Sequence, residues 1–322
     1  MKTFKVLLQR EFWENKGGFL WAPIGAGIAF LVLSFMGVIA GEVLGRKSGV
    51  FINGVNISGI ADKAGEQELL QLGAGLDLAM LMAAGWPMIA LGFVVFFYCL
   101  SSLYDERKDR SVLFWKSLPI SDTSTVVSKA VSATLIAPLI SGFVAVLVGY
   151  AFLLIPSLWL LLHGANPWNL VFGPASPTHV AGTILLGIPV YALWALPTVG
   201  WLMLISVWAK SKPFLWAVLI PVFAGIFVSW FDIMMAFELD SDWFWKNIVA
   251  RALTSVFPGS DLLFLHDGFE NVEINGPEDL RGLLSFQATL NTLSALHTWI
   301  GAVVGVALIA VATRLRRWRD DN

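Results

Sequence analysis

Tyr104–Asp122 reads YDERKDRSVLFWKSLPISD, a densely charged stretch held between two long apolar runs. Each Asp, Lys or Arg at the centre of a membrane helix costs about 2.5–3.5 kcal/mol. The stretch therefore belongs in water, and the apolar runs on either side of it become membrane spans. Composition agrees: 57% of the chain is hydrophobic and 14% charged, with a mean hydropathy of +0.73, where soluble domains carry about 25% charged residues. The fold class this predicts is an all-α integral membrane protein whose solvent is the lipid bilayer. The net charge of -2 and the lack of a basic stripe on a soluble face speak against nucleic acid as a partner. The single cysteine, Cys99, lies inside an apolar run. It has no intrachain disulfide partner and reads as a small core residue.

A bilayer core of about 30 Å takes roughly 20 apolar residues per helix. Six segments meet that length: Leu20–Ala40, Leu76–Leu103, Val126–Leu154, Val180–Ala209, Phe214–Phe237 and Leu296–Thr313. The first is longer than the apolar core of a signal peptide, about 7–15 residues, and is expected to remain as an anchor. Pro138, Pro189, Pro197 and Pro221 fall inside spans, where neighbouring helices and Ser or Thr side chains can satisfy the freed carbonyls.

Lys and Arg in the short connections set the orientation. With the N-terminus inside, the inner segments hold Lys2, Lys5, Arg10, Lys16, Arg107, Lys108, Arg110, Lys116, Lys129, Lys210, Lys212, Arg314, Arg316, Arg317 and Arg319, which is 15 of the 21 basic residues. Arg46, Lys47, Lys63, Lys246, Arg251 and Arg281 fall outside. Both termini are thus expected in the cytoplasm, in a single multi-pass membrane domain over residues 1–322.

The flanks add detail. Phe4, Leu7, Leu8 and Phe12 recur at helical spacing within residues 1–19, which predicts an amphipathic helix lying in the inner interface. Outside, Glu42–Gly75 forms a first loop, helix-prone from Glu66 to Leu72. Near Pro156–Thr178, Pro and Asn-Pro signals predict little regular structure. The largest loop, residues 238–295, carries Trp243, Phe244, Trp245 and Phe257. It is expected to form helices lying on or dipping into the outer leaflet, with Trp as interfacial anchors.

Within the inner loop, residues 104–125, the run Asp105–Arg110 is charged, whereas Val112, Leu113, Phe114, Trp115 and Leu118 form a bulky apolar surface that Pro119 terminates. Ser121 and Asp122 are suited to cap the third span. These residues fit two readings: a docking knob for another protein, since aromatic and Arg anchors dominate interfaces, or an anchor in the headgroup region.

The stretch, the interfacial helix, the six spans and the large loop before the last span together resemble the type-2 ATP-binding cassette (ABC) exporter permeases. In that family the pattern D/E-R-K/R-D-R-S-I/V-L-F-W-K-S-L-P-V/I-S/T recurs in the first cytoplasmic loop, and here it runs from Glu106 to Ser121. The resemblance implies a transmembrane subunit that pairs with a second permease copy, identical or related. It also implies docking of a separate ATPase under Arg107, Lys108, Arg110, Val112, Phe114, Trp115 and Leu118. ATP and Mg would sit on that ATPase, with no cofactor in this chain. Spans two and five would line the dimer interface and the export route.

No catalytic residue and no metal ligand set is expected. Gly41–Ser48, GEVLGRKS, lacks the spacing of a phosphate-cradling loop. His163, His179, His266 and His297 show no metalloprotease spacing, and no GxSxG occurs. An intramembrane enzyme acting through the outer loops is one rival reading. A proton- or cation-coupled secondary transporter is another, because Asp77 and Asp232 lie within spans and carboxylates at membrane depth are often functional. In the export reading the same two residues are candidates for the translocation path. Ser34, Thr134, Ser141, Thr198 and Ser206 read as interhelical hydrogen-bonders.

Overall fold

The computed structural model describes residues 2–47, 65–110, 120–234, 240–261, 276, 282 and 285–319. These residues are 88% helical and contain no strand. Six helical segments are long and apolar enough to cross a membrane: Gly17–Gly45, Glu66–Lys108, Asp122–Leu162, Pro177–Trp208, Pro213–Ile233 and Leu296–Trp318. A separate helix, Lys2–Glu14, precedes the first span.

The helices outrun the apolar windows, because hydropathy marks membrane thickness and not the point where the backbone ladder ends. The second span begins at Glu66, where the Gly65 N–H donates to the Glu68 carboxylate at 3.2 Å. The third begins at Asp122, with the Ser121 hydroxyl accepting from the Ser124 N–H at 3.1 Å. At its far end it runs through Pro156 to Leu162, so the first part of the segment expected to be irregular is helix. Pro156 removes one ladder donor, and the neighbouring Ser157 hydroxyl donates to the Leu153 carbonyl at 2.7 Å. A π-helical turn, Trp168–Phe172, fills part of the rest.

The fourth span is the centre of the bundle. In its most apolar window 67% of residues are buried, against 6% in the first span and 17% in the fifth. Gly200 of the fourth span and Gly305 of the sixth leave no room for a Cβ against each other's backbone or its neighbours, the small-residue contact that lets membrane helices approach closely. The first and fifth spans lie at the edge and present apolar side chains such as Leu33, Met36, Phe223 and Phe227 outward.

The large loop re-enters the bundle. Ser241–Phe244, the π-helical turn Trp245–Ala250 and Arg251–Thr254 form one helical stretch. The Trp245 ring fills the notch at Gly225 of the fifth span, and the Phe257 ring fills the notch at Gly92 of the second. The Tyr191 hydroxyl donates to the Val256 carbonyl at 2.8 Å, and the Trp194 indole N–H to the Ser260 hydroxyl at 3.0 Å. Ser255 and Val256 of the non-helical backbone that follows, and Ser260 beyond it, are covered by protein. Trp245 and Phe257 are therefore half-buried against the spans, whereas Trp243 is exposed.

Candidate functional site

The short helix Tyr104–Lys108, which continues the second span, is the described root of the charged loop. Val112, Phe114, Trp115 and Leu118 lie outside the described residues, so the site is built from the root.

Glu106 is buried. Its Oε2 accepts from Arg316 Nη1 of the sixth span at 2.8 Å, and its Oε1 lies 3.0 Å from Lys129 Nζ of the third. The latter contact is an ion pair between two buried side chains. Lys129 Nζ also donates to Glu11 Oε1 of the N-terminal helix at 2.9 Å, and the Tyr98 hydroxyl donates to Glu11 Oε2 at 2.7 Å. Arg316 Nε reaches Asp122 Oδ1 at 3.3 Å. Arg10 completes the set, with Nε on Glu14 at 2.7 Å and Nη2 at 3.5 Å from Glu106. Burial works to lower the Arg10 pKa, but the hydrogen bond and charge of Glu14, with Glu11 and Glu106, outweigh it and hold the group above its ordinary value.

Breaking a buried pair by removing one partner costs about 3–5 kcal/mol, because a charge is left uncompensated. Here the pairs are shared: Lys129 serves two carboxylates and Arg316 serves two. The N-terminal helix, the loop root and the third and sixth spans are thereby fastened at one point.

A second fastening joins the root to the fourth span. The Ser206 hydroxyl accepts from the N–H groups of Leu103 and Tyr104 at 3.1 and 2.9 Å. The Arg107 guanidinium donates to the carbonyls of Ser206, Val207 and Ala209, which a helix C-terminus otherwise leaves unpaired. Arg107 is thus spent inside the protein, while Lys108 and Arg110 are exposed. Arg110 also takes a left-handed backbone conformation, φ 56°, at the point where the chain turns out of the helix. Tyr104, Arg107, Lys108 and Lys210 line a basic depression of about 330 Å³ beside the root. A larger groove, about 580 Å³, runs between the start of the first span (Phe19), the second (Phe97, Tyr98) and the foot of the fifth (Lys212, Phe214).

The two intramembrane carboxylates stand elsewhere and serve backbone. Asp77 is buried, and its Oδ1 accepts from the Ser176 N–H at 2.7 Å where the fourth span begins. Asp232 accepts from the Ser241 N–H at 3.4 Å where the re-entrant stretch begins. Of the polar residues expected to bond between helices, Ser206 does so, and the Thr198 hydroxyl reaches the Arg251 carbonyl at 2.7 Å. Thr134 instead bonds within its own helix, to the Ala130 carbonyl. Among the described residues no cluster of His, Cys, Asp or Glu is suited to a metal ion.

Sequence reasoning missed Glu11 and Tyr98, and used Lys129 and Arg316 only as markers of orientation. Glu11 did leave a signal, since it continues the stripe of Phe4 and Leu7 on the N-terminal helix. A carboxylate on an apolar stripe asks for a buried cation. Comparison with family models, characterised proteins and solved structures finds no match.

Proposed function

We propose that this chain is the membrane permease subunit of a type-2 ABC exporter, driven by ATP hydrolysis on a separate subunit that docks on the loop of residues 104–125. The observation that carries this reading is the fastening of the loop root. Glu106 and Arg107 bind it to the N-terminal helix and to the third, fourth and sixth spans. A push on Ser111–Pro119 would therefore reach four elements together, which is what a nucleotide-driven lever requires. The sequence from Glu106 to Ser121, which resembles the docking loop of such permeases, is the second support. Lys108 and Arg110 would steer the ATPase, and Phe114 and Trp115 would fill its pocket.

The charge fastening would lie on the cytoplasmic side, following the distribution of Lys and Arg. A second copy would pack on the exposed faces shared by the second and fifth spans, where Phe93, Phe97 and Phe214 are half-exposed and Phe97 stacks on Phe214 at 6.1 Å. Asp77 and Asp232 would border the path between the copies. Each already accepts a backbone N–H, which favours this reading over a proton-coupled carrier built on them.

The test is co-expression with a nucleotide-binding subunit encoded beside this chain. The pair should copurify and hydrolyse ATP faster than the ATPase alone, and W115A or F114D should abolish the stimulation while leaving the permease in the membrane. Normal copurification and stimulation in both variants would overturn the docking assignment.

A further inference from the structure

A cavity of about 340 Å³ lies between the second and fourth spans, bounded by the turn at Pro258 and Gly259 that follows the re-entrant stretch. Sites for small molecules run from about 300 to 1,000 Å³. Its walls are apolar and aromatic, with Met82 and Met88 from the second span and Tyr191 and Trp194 from the fourth. Asp261, beside the turn, lines it too, and no other charged residue does so among the described residues. The Thr292 hydroxyl donates to the Asp261 carboxylate at 3.1 Å and helps to fix its position.

The fourth span is interrupted on the wall of this cavity. Its first half, Pro177–Leu186, ends at Gly187, and its second half, Ile188–Trp208, carries Pro189 in its first turn. Pro189 has no N–H to give the Leu185 carbonyl, so the ladder breaks where Gly187 and Ile188 line the cavity. The C-terminal end of a helix carries partial negative charge, and interrupted membrane helices present such ends to cations. A carboxylate and a helix C-terminus thus border one apolar space, and both favour positive charge in it. The Arg251 guanidinium, which does not line the cavity, lies 4.3 Å over the Trp194 ring. It repels a second cation from that ring, so Trp194 serves as an apolar wall.

We propose that this cavity binds an amphipathic organic cation, with its apolar body against Met82, Met88 and Trp194 and its charge beside Asp261 and the end of the half-helix. The Tyr191 ring adds attraction for a cation, and flexible Met side chains adapt to bodies of different shape. Only the ligand's role as exported cargo rests on the export reading. Binding itself needs no ATPase, so a chain that binds the cation without stimulating an ATPase would fail that reading and keep this one.

The test uses the full chain in phosphatidylcholine nanodiscs without ATPase, with binding counted above that of empty nanodiscs. The probes are tetraphenylphosphonium, the uncharged triphenylphosphine oxide, and tetraphenylborate, which has the shape of the first and the opposite charge. D261N should weaken tetraphenylphosphonium binding about tenfold or more, leave triphenylphosphine oxide unchanged, and not weaken tetraphenylborate. Gly85 lines the cavity, and a Cβ there meets nothing within 4 Å. G85F should therefore fill the space and weaken the cation and the oxide alike. If D261N does not fold, G85F carries the test together with D261E, which keeps the charge and should keep the preference for tetraphenylphosphonium over the oxide. Equal losses of all three probes in D261N, a folded D261N that binds tetraphenylphosphonium as wild type does, or unchanged binding in G85F would overturn the proposal.

Discussion

The two ends of the helical bundle solve the burial of charge in opposite ways. At the loop root Glu11, Glu106 and Asp122 are matched to Lys129 and Arg316, each cation shared between carboxylates. At the other end Arg251 is buried against Trp194, and the re-entrant stretch is held by ring insertion and neutral hydrogen bonds from Tyr191, Trp194 and Thr198. Loss of one member of a buried ion-pair set leaves a charge uncompensated and is strongly destabilising. Neutral contacts are weaker and easier to rearrange. The first end is therefore fastened by charge, and the second by ring packing and neutral hydrogen bonds.

The largest effect expected from breaking this contrast comes from K129M, which strips Glu11 and Glu106 of their common cation. It should cost about 3–5 kcal/mol, read as a lower unfolding temperature of the detergent-solubilised chain. A K129M variant as stable as wild type would remove the distinction between the ends. R107A should cost about 1.5–3 kcal/mol, because the last carbonyls of the fourth span lose their donor. It should also weaken ATPase stimulation, since the root then keeps only the Ser206 hydroxyl as its hydrogen-bonded link to that span.

At the other end T198V deletes the donor to the Arg251 carbonyl and the acceptor of the Ser255 N–H. A loss of about 1–3 kcal/mol is expected, checked by the same melting measurement, without change in ATPase stimulation. The smallest effect should come from D232N, about 0.5–1 kcal/mol, since its bond to Ser241 is long, 3.4 Å, and an amide oxygen accepts it too.

The six spans were legible in the sequence because apolar length alone decides them, and the third-span cap at Ser121 because its chemistry is local. The ion-pair set was not. Lys129 and Arg316 are separated by most of the chain, and a basic residue near a span end reads the same whether it faces water or two buried carboxylates. The same ambiguity hid Arg251, which looked like an ordinary outer-loop charge. The seats of Trp245 and Phe257 are not legible either, because aromatic residues in a polar loop carry no mark of the glycine notches, at Gly225 and Gly92, that receive them.

The most direct measurement places a cysteine in the docking segment, as Leu118→Cys in a Cys99→Ser background, and follows its labelling by a membrane-impermeant maleimide. In sealed inside-out vesicles the cysteine should react rapidly when the ATPase subunit is absent and be protected when it is bound. Labelling only in right-side-out vesicles, or a rate unaffected by the bound ATPase, would contradict the docking role of Ser111–Pro119.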